Sequence, residues 1–148
     1  MAILRDDPYG AFNFIVDYGA GDGGEAAAGF SEVTGLASEI EYADYRNGND
    51  PENHVRRIPG LHKAGDVTLK RGVIGDLRLF EWLKQTRQGD VQPRDLTITL
   101  LDEKRSPVLT WSLRGALPKK WVGPMLVAKT GEVAIEELQL VVEQIDAK

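Results

Sequence analysis

The stretch Lys63–Thr86, KAGDVTLKRGVIGDLRLFEWLKQT, decides the fold, because it starts as a strand and ends as a helix. In its first part, Asp66–Arg71, alternation places Val67 and Leu69 on one side, which is typical of a half-buried strand. The second part predicts a helix over about 76–88, with Asp76 as its N-cap. Its apolar stripe is formed by Leu77, Leu79, Phe80, Trp82 and Leu83.

The segments on either side of this stretch alternate with the period of two that is typical of strands. Residues 10–18 place Phe12, Phe14, Val16 and Tyr18 on one side. Residues 94–103 and 107–116 form a hairpin across the turn KRSP. Residues 132–145 fit a helix or a strand, and their β-branched content favours a strand with a bulge at Glu136–Glu137. We therefore predict one mainly β domain, 1–148, built as an antiparallel two-sheet barrel or sandwich with one short helix.

Composition limits the function classes. The chain has 148 residues, no cysteine and a formal net charge of −5, so it lacks the basic balance expected of a general nucleic-acid binder. No apolar run approaches the roughly 20 residues that span a bilayer. The first ten residues resemble no signal peptide. We expect a soluble protein made in the cytoplasm, without membrane insertion.

Three patterns in the sequence are of the kind that can serve catalysis, metal binding or cofactor binding. The run Gly19–Gly24, GAGDGG, matches a dinucleotide fingerprint, but no full helix follows it and no βαβ alternation surrounds it. His54 and His62 have no convergent third ligand for zinc. The adjacent acids Glu136–Glu137 point to opposite faces of a strand, so they cannot flank one bond, and a solvated surface is expected for them. We expect no catalytic residue, no metal and no cofactor.

The chain also carries four basic pairs and three tryptophans. The basic pairs are dispersed and matched by acids, which favours a solvated surface or ion pairs between subunits: Arg56–Arg57, Lys70–Arg71, Lys104–Arg105 and Lys119–Lys120. Trp82 and Trp111 fall on predicted core faces. Trp121 lies in a segment bounded by Pro118 and Pro124, and we expect it at an interface.

The segment 47–66 is long for a connection in a compact domain and needs a function. A β domain of this kind also has sheet edges, which promote unwanted association unless they are covered. Pairing the edges of several copies in a ring would use both features. This points to a structural protein.

Several runs resemble the tail tube proteins of contractile phage tails and the inner tube of phage-like extracellular contractile injection systems. They are DPYGAFNFIVDY, FSEVTGL, YRNGND, RIPGLHKAGDVTLKRG, LFEWL and GEVAIEELQLVVE, in that order over nearly the whole chain. The haemolysin-coregulated protein of type VI secretion is a more distant relative in fold. The glycine-rich loop 19–29 has no match in this resemblance.

The resemblance implies six copies in a ring and rings stacked into a hollow tube inside a contractile sheath. It also implies baseplate, spike and terminal cap partners, DNA or protein cargo in the lumen, and a location in the assembled particle. It assigns contacts between subunits or rings to residues in and beside the 47–66 segment: Arg46, Asn47, Gly48, Pro59, Gly60 and Leu61. The alternative is a secreted type VI-like ring that carries effectors.

Glu39 and Glu41 alternate with Ile40 and Tyr42, so we expect these two acids to face the lumen. A mainly acidic lumen would repel DNA and let it slide.

Overall fold

The stretch Lys63–Thr86 folds as the sequence predicts, into a strand, a glycine-containing turn and a helix. The computed structural model describes residues 2–18 and 27–148. The strands are β1 (Phe14–Asp17), β2 (Ala27–Ala28), β3 (Glu32–Thr34), β4 (Ser38–Tyr45), β5 (Arg56–Ala64), β6 (Val67–Gly72), β7 (Arg94–Leu101), β8 (Pro107–Val122), β9 (Ile135–Val141) and β10 (Gln144–Ala147). The helix α1 spans Arg78–Arg87.

The strands form antiparallel sheets that meet in β8. The first half of β8, to residue 116, pairs with β7 and β10, and β7 continues to β1 and β2. The second half, from Leu117, pairs with β9, which continues to β6 and β3. β4 and β5 form a separate two-stranded sheet.

Gly115 marks the point where β8 passes from one set of partners to the other. Its φ of 64° lies in the left-handed region that favours glycine, and its N–H donates to Asp95 at 3.1 Å. The β7–β8 register shifts here, with a β-bulge. A Cβ at this position would come within 2.6 Å of the Glu143 carboxylate. Glycine therefore lets one long strand serve both sheets.

The core lies between the two sheets and under the helix. From β1 and β7 come Val16 and Ile98, and from β6 and β9 come Leu69 and Leu138, all at most 2% exposed. The helix adds Leu79 and Trp82, each 1% exposed. The alternation of residues 66–71 thus predicts the buried face correctly. That of residues 94–103 does so at Leu96 and Ile98 but fails at the register shift, where Leu101 is buried and Leu100 is only partly buried.

The ends of the helix differ slightly from the prediction. The N-cap position is Leu77, which is exposed, so the predicted apolar stripe is narrower than expected. Asp76 still accepts the first helical N–H, from Arg78, at 3.0 Å. The side chain of Trp82 donates to the carbonyl of Gln92 at 3.2 Å, which ties the helix to the segment before β7.

The C-terminal segment is a strand, as its β-branched content predicts. The expected bulge at Glu136–Glu137 is wrong, because β9 pairs in register with β6 through both residues. The irregularity lies instead in β8, between Pro118 and Lys120. Proline lacks an N–H group and is tolerated in a strand beside such an irregularity. β8 therefore continues past Pro118 to Val122.

Three further expectations are corrected. Among the described strands the sheet path ends at β2 on one side and β3 on the other, so the sandwich does not close into a barrel. The supposed connection 47–66 contains a strand of nine residues, β5. Phe12 is 73% exposed and does not extend the buried face of β1.

Within residues 2–18 and 27–148 the only helix is too short and too polar to cross a bilayer.

Candidate assembly surface

The hairpin β4–β5, residues 38–64, stands outside the core. Every residue of β4 is exposed, and so is every residue of β5 up to Lys63. The exposed residues include large apolar side chains: Ile40, Tyr42, Tyr45, Val55, Ile58 and Leu61. A two-stranded hairpin is marginally stable in water on its own. This hairpin therefore needs a cover that the subunit core does not supply.

The base of the hairpin is held by close backbone packing. The N–H of Gly65 donates to the carbonyl of Ala37 at 2.7 Å. Gly35 has a φ of +86°, and a Cβ there would come within 2.0 Å of the carbonyl oxygen of Asp66. Glycine at position 35 is thus required for the chain to enter the hairpin beside the start of β6.

The register of the hairpin defines two faces, because directly opposed residues of an antiparallel pair share a side. One face carries Ile40 opposite His62, and Tyr42 opposite Pro59. Between these pairs the register shifts, which leaves Gly60 and Leu61 facing Glu41.

The other face carries Glu39 opposite Lys63 and Ala43 opposite Ile58. Glu41 lies on this face too and pairs with the Lys63 ammonium. The hydrogen bond from Lys63 to Glu41, with the nearby charge, raises the pKa of Lys63 above its ordinary value. The two predicted lumen residues thus share one face, where a lysine offsets part of their charge. Each face mixes apolar and charged groups.

Arg46, Asn47 and Gly48 lie in the loop that closes the hairpin, residues 46–55. Arg46 donates to the carbonyls of Asp50 and Glu52 at 3.0 and 3.2 Å. The Asn47 N–H donates to the Asp50 carboxylate at 3.0 Å. Gly48 is exposed. Arg46 and Asn47 therefore shape the loop from within.

Pro59, Gly60 and Leu61 lie on β5 instead, near the middle of the hairpin. Leu61 is 76% exposed. The six predicted contact residues thus fall into two groups, one at the loop and one at the strand irregularity. They belong to one hairpin, but they do not form a single cluster.

An ionic cluster in which Arg71 and Glu136 are buried and the Arg78 side chain is 42% exposed was not predicted from the sequence. It consists of Arg71, Asp76, Arg78 and Glu136. Arg71 is 2% exposed, and its Nε donates to Glu136 Oε1 at 2.5 Å. Its Nη2 also donates to the carbonyl of Asp76 at 2.8 Å. The cluster joins β6, β9 and the start of the helix.

Trp121 completes this cluster. Its Nε1 donates to Glu136 Oε2 at 3.2 Å, and its ring packs edge-on against Phe80 at 5.1 Å. The expectation of an exposed tryptophan is corrected, because these contacts hold Trp121 half-buried between β8 and the helix, and its place at an interface stays a prediction. The expectation of solvated charges at Arg71 and Glu136 is wrong for the same reason.

The period of two could have found the buried pair. Arg71 continues the side of Val67 and Leu69, and Glu136 continues the side of Leu138 and Leu140. A charge in phase with buried neighbours predicts a buried partner, since an unpaired buried charge is very costly.

The other motifs give little. The run Gly19–Gly24 lies outside the described residues. His54 and His62 are both exposed, and His54 Nδ1 lies 3.1 Å from Glu52 Oε2. Across the two described ranges, no three histidine, aspartate or glutamate side chains converge as a metal site would require.

The fold and the exposed hairpin together define a class of protein: a two-sheet β subunit that carries part of its β structure outside its own core. Comparison with known families makes this specific. The family model of the T4-like virus tail tube protein gp19 matches residues 10–146. The chain belongs to this tail tube protein family, whose members are structural tube proteins.

Solved structures agree. A chain of the sheath-tube complex of the PVC extracellular contractile injection system, in the extended state, matches with a TM-score of 0.82 and 25% identity over 95% of this chain and 91% of that one. A chain of the anti-feeding prophage cap structure matches with a TM-score of 0.84 and 23% identity over 100% and 95%. No curated protein matches by sequence.

The type VI relatives are more distant, as expected. Hcp1 from Flavobacterium johnsoniae matches with a TM-score of 0.55 and 12% identity, over 90% of this chain and 93% of that one. This likeness concerns the fold alone. The family match and the injection-system structures confirm the resemblance to tail tube proteins.

Proposed function

We propose that six copies of this tail tube protein form a ring and that the rings stack into the hollow inner tube of a contractile particle. The observation that carries the proposal is the hairpin 38–64, which is exposed on both faces and yet bears large apolar side chains. A neighbouring copy that covers it would bury this apolar area, at about 25 cal/mol per Å².

The sheet edges support the same conclusion. β2 and β3 end the sheet path, and the hairpin adds edges of its own. Exposed edges are templates for pairing with another chain. A head-to-tail contact closes into a ring or continues as a filament, depending on its rotation. A tube needs both kinds of contact, around the ring and from ring to ring.

We assign the ring-to-ring contact to the hairpin and to the six residues named from the sequence: Arg46, Asn47, Gly48, Pro59, Gly60 and Leu61. The first two hold the loop in shape, whereas Leu61 offers exposed apolar surface. Their roles therefore differ, and substitution of Leu61 should affect assembly more directly than substitution of Asn47.

The face of Glu39 and Glu41 is proposed to line the lumen. Both acids lie on one side of the hairpin, and Lys63 neutralises part of their charge. A wall of this composition repels nucleic acid weakly and binds little by charge, which suits a conduit for DNA or protein. The chain itself performs no catalysis in this proposal.

The partners proposed are the sheath outside the tube, the baseplate and spike at one end and the cap at the other. The structures that match in fold come from sheath-tube, cap and baseplate assemblies. The protein would be made in the cytoplasm and act in the assembled particle, a phage tail or an extracellular injection device.

The test is negative-stain electron microscopy of the purified protein at increasing concentration. We expect rings and tubes for the wild type. Leu61→Asp should shift the protein to monomers or single rings while the thermal unfolding midpoint stays within a few degrees. Val91→Asp is the matched control, because Val91 is 53% exposed and lies outside the hairpin.

A wild type that stays monomeric at every concentration and with its sheath and baseplate partners contradicts the proposal. So does a Leu61→Asp protein that forms tubes as readily as Val91→Asp. Copurification of sheath and baseplate proteins separates an inner tube from the type VI-like effector carrier.

A further inference from the structure

An apolar groove opens between the two sheets at the end where β3 and β1 face each other. Its volume is about 270 Å³. The lining is mainly apolar and is formed by Phe14, Val33, Leu36, Ile98, Leu100 and Trp111. Several of these side chains pack against the core while remaining partly exposed. The groove is where the sandwich fails to close.

The loop 123–134, between β8 and β9, carries the opposite feature. Met125 and Leu126 are 85% and 82% exposed, and Val127 is 47% exposed. The loop has a defined shape, since the N–H and the hydroxyl of Thr130 both donate to the carbonyl of Val127, at 3.4 and 3.3 Å. Three consecutive apolar side chains on a shaped loop are a surface for a partner.

The loop does not fill the groove of its own subunit, because Met125 and Leu126 are 85% and 82% exposed and do not line it. The groove is lined by β1, β3, β7 and β8 and by the segments beside them. A second copy can therefore supply the loop that fills it.

The charges at the two sites are complementary. Glu32 is the charged residue that lines the groove, and its carboxylate lies 3.5 Å from the Lys70 ammonium. Lys129 is exposed in the loop, three residues after Leu126. Docking of Leu126 into the groove would bring Lys129 within reach of the groove rim.

The size of the groove also fits. A volume of about 270 Å³ corresponds to about nine water molecules at about 30 Å³ each, which is sufficient for the eight heavy side-chain atoms of one leucine and one methionine.

We propose that the groove of one copy receives Met125–Val127 of the next copy, and that Lys129 of the incoming loop approaches Glu32. This contact is head-to-tail, uses two different patches of each subunit, and is distinct from the hairpin. It rests on the proposed self-assembly and adds the residues that make a second subunit contact. The groove takes a second copy of this chain in preference to a small molecule.

The chain has no cysteine, which makes disulfide cross-linking clean. The test variant carries Val33→Cys and Leu126→Cys, and the control carries Val91→Cys and Leu126→Cys. Under mild oxidation of assembled protein, the first should give a ladder of covalent oligomers on a non-reducing gel, and the control should give at least tenfold less. Single-cysteine chains report random dimerisation.

Charge reversal gives a second measurement that requires no cysteine. Glu32→Lys and Lys129→Glu should each lower the fraction of protein in tubes severalfold. The double variant should recover most of that loss. Recovery would not follow if Glu32 served only its partner Lys70 within the subunit.

Tubes that form without the Val33–Leu126 ladder, or with an equal ladder in the control, overturn this inference and leave the proposed tube function standing. Normal tubes from Leu126→Asp that no longer bind sheath protein would assign the loop to the sheath and also overturn it. A wild type that never forms rings or tubes removes the proposed function itself.

Discussion

Arg71 and Glu136 are joined by a 2.5 Å hydrogen bond between Nε and Oε1, with Arg71 2% and Glu136 6% exposed. The two residues face each other across β6 and β9, where Arg71 pairs with Glu136 in register. Because Arg71 also donates to Asp76, and Glu136 also accepts from Trp121, this ion pair anchors the start of the helix to β6, β9 and the second half of β8, which belong to one sheet.

Removal of one partner of this pair should be costly. Arg71→Met leaves the Glu136 carboxylate buried without its guanidinium, and we expect the free energy of unfolding to fall by about 3–5 kcal/mol. Urea denaturation followed by tryptophan fluorescence measures the change. The double variant Arg71→Met with Glu136→Leu should recover part of the loss.

The control for this experiment is an exposed ion pair. Lys119 lies 2.6 Å from Asp66, with both side chains nearly half exposed. Lys119→Met should cost about 1 kcal/mol or less. Equal losses for Arg71→Met and Lys119→Met would show that burial of the first pair has no energetic weight.

Asp76 should make the fold sensitive to acid. The hydrogen bond from the Arg78 side chain, together with the neighbouring charges, holds the pKa of Asp76 well below its ordinary value. The unfolded chain therefore takes up a proton at this site first, near pH 4, while the folded chain does not. The stabilisation is fully present above about pH 5 and is lost as the pH falls towards the folded pKa.

The measurement is the difference in unfolding free energy between the wild type and Asp76→Asn at pH 7, 5, 4 and 3. We expect this difference to shrink as the pH falls below about 5. A difference that is constant over the range contradicts the assignment.

Glu103, whose pKa is lowered to about 2 by its hydrogen bond with Arg5, is exposed. Its contribution should largely disappear in about 1 M salt, whereas that of Asp76 should persist.

The two leucines at the start of the helix provide a matched pair. Leu79 is 1% exposed and Leu77 is 63% exposed. Leu79→Ala should lower the unfolding free energy by about 2–5 kcal/mol through lost burial and a cavity. Leu77→Ala should change it by about 0.5 kcal/mol or less. Thermal or urea unfolding of both variants measures the two changes. Similar losses of unfolding free energy would mean that Leu77 belongs to the buried apolar stripe of the helix, as the sequence predicts.

Gly35→Ala should disturb the base of the hairpin. The new Cβ would meet the Asp66 carbonyl at 2.0 Å, and the left-handed φ alone costs about 1–2 kcal/mol for a non-glycine residue. We expect lower stability and fewer tubes. Gly72→Ala is the control, since a Cβ there has nothing within 4 Å. Hydrogen exchange of the hairpin amides localises the effect, and unchanged exchange at β4 in Gly35→Ala would contradict it.

Much of the fold follows from the sequence because burial imposes periodicity. The alternating positions of β6, β7 and β9 face a core, so Leu69, Ile98 and Leu138 reveal their strands. The hairpin strand β5 escaped detection because no core faces it. Its run Pro59–Gly60–Leu61 therefore has no reason to alternate, and it reads as a loop.

The remaining differences depend on contacts between distant parts of the chain. The pairing of Arg71 with Glu136 spans 65 residues, and charge alone favoured solvent exposure for both. Whether a two-sheet sandwich closes depends on the pairing of its outermost strands, β2 and β3, which the pattern within each strand does not specify. The groove likewise results from an unclosed end and has no motif of its own.

The continuity of β8 has a mechanical consequence. One continuous strand of sixteen residues belongs to both sheets. A force applied to either sheet is therefore transmitted to the other through covalent bonds and does not depend only on side-chain packing between the layers. A subunit built in this way resists shear between its layers as a single body. That property suits a component of a shaft that is driven forward by a contracting envelope.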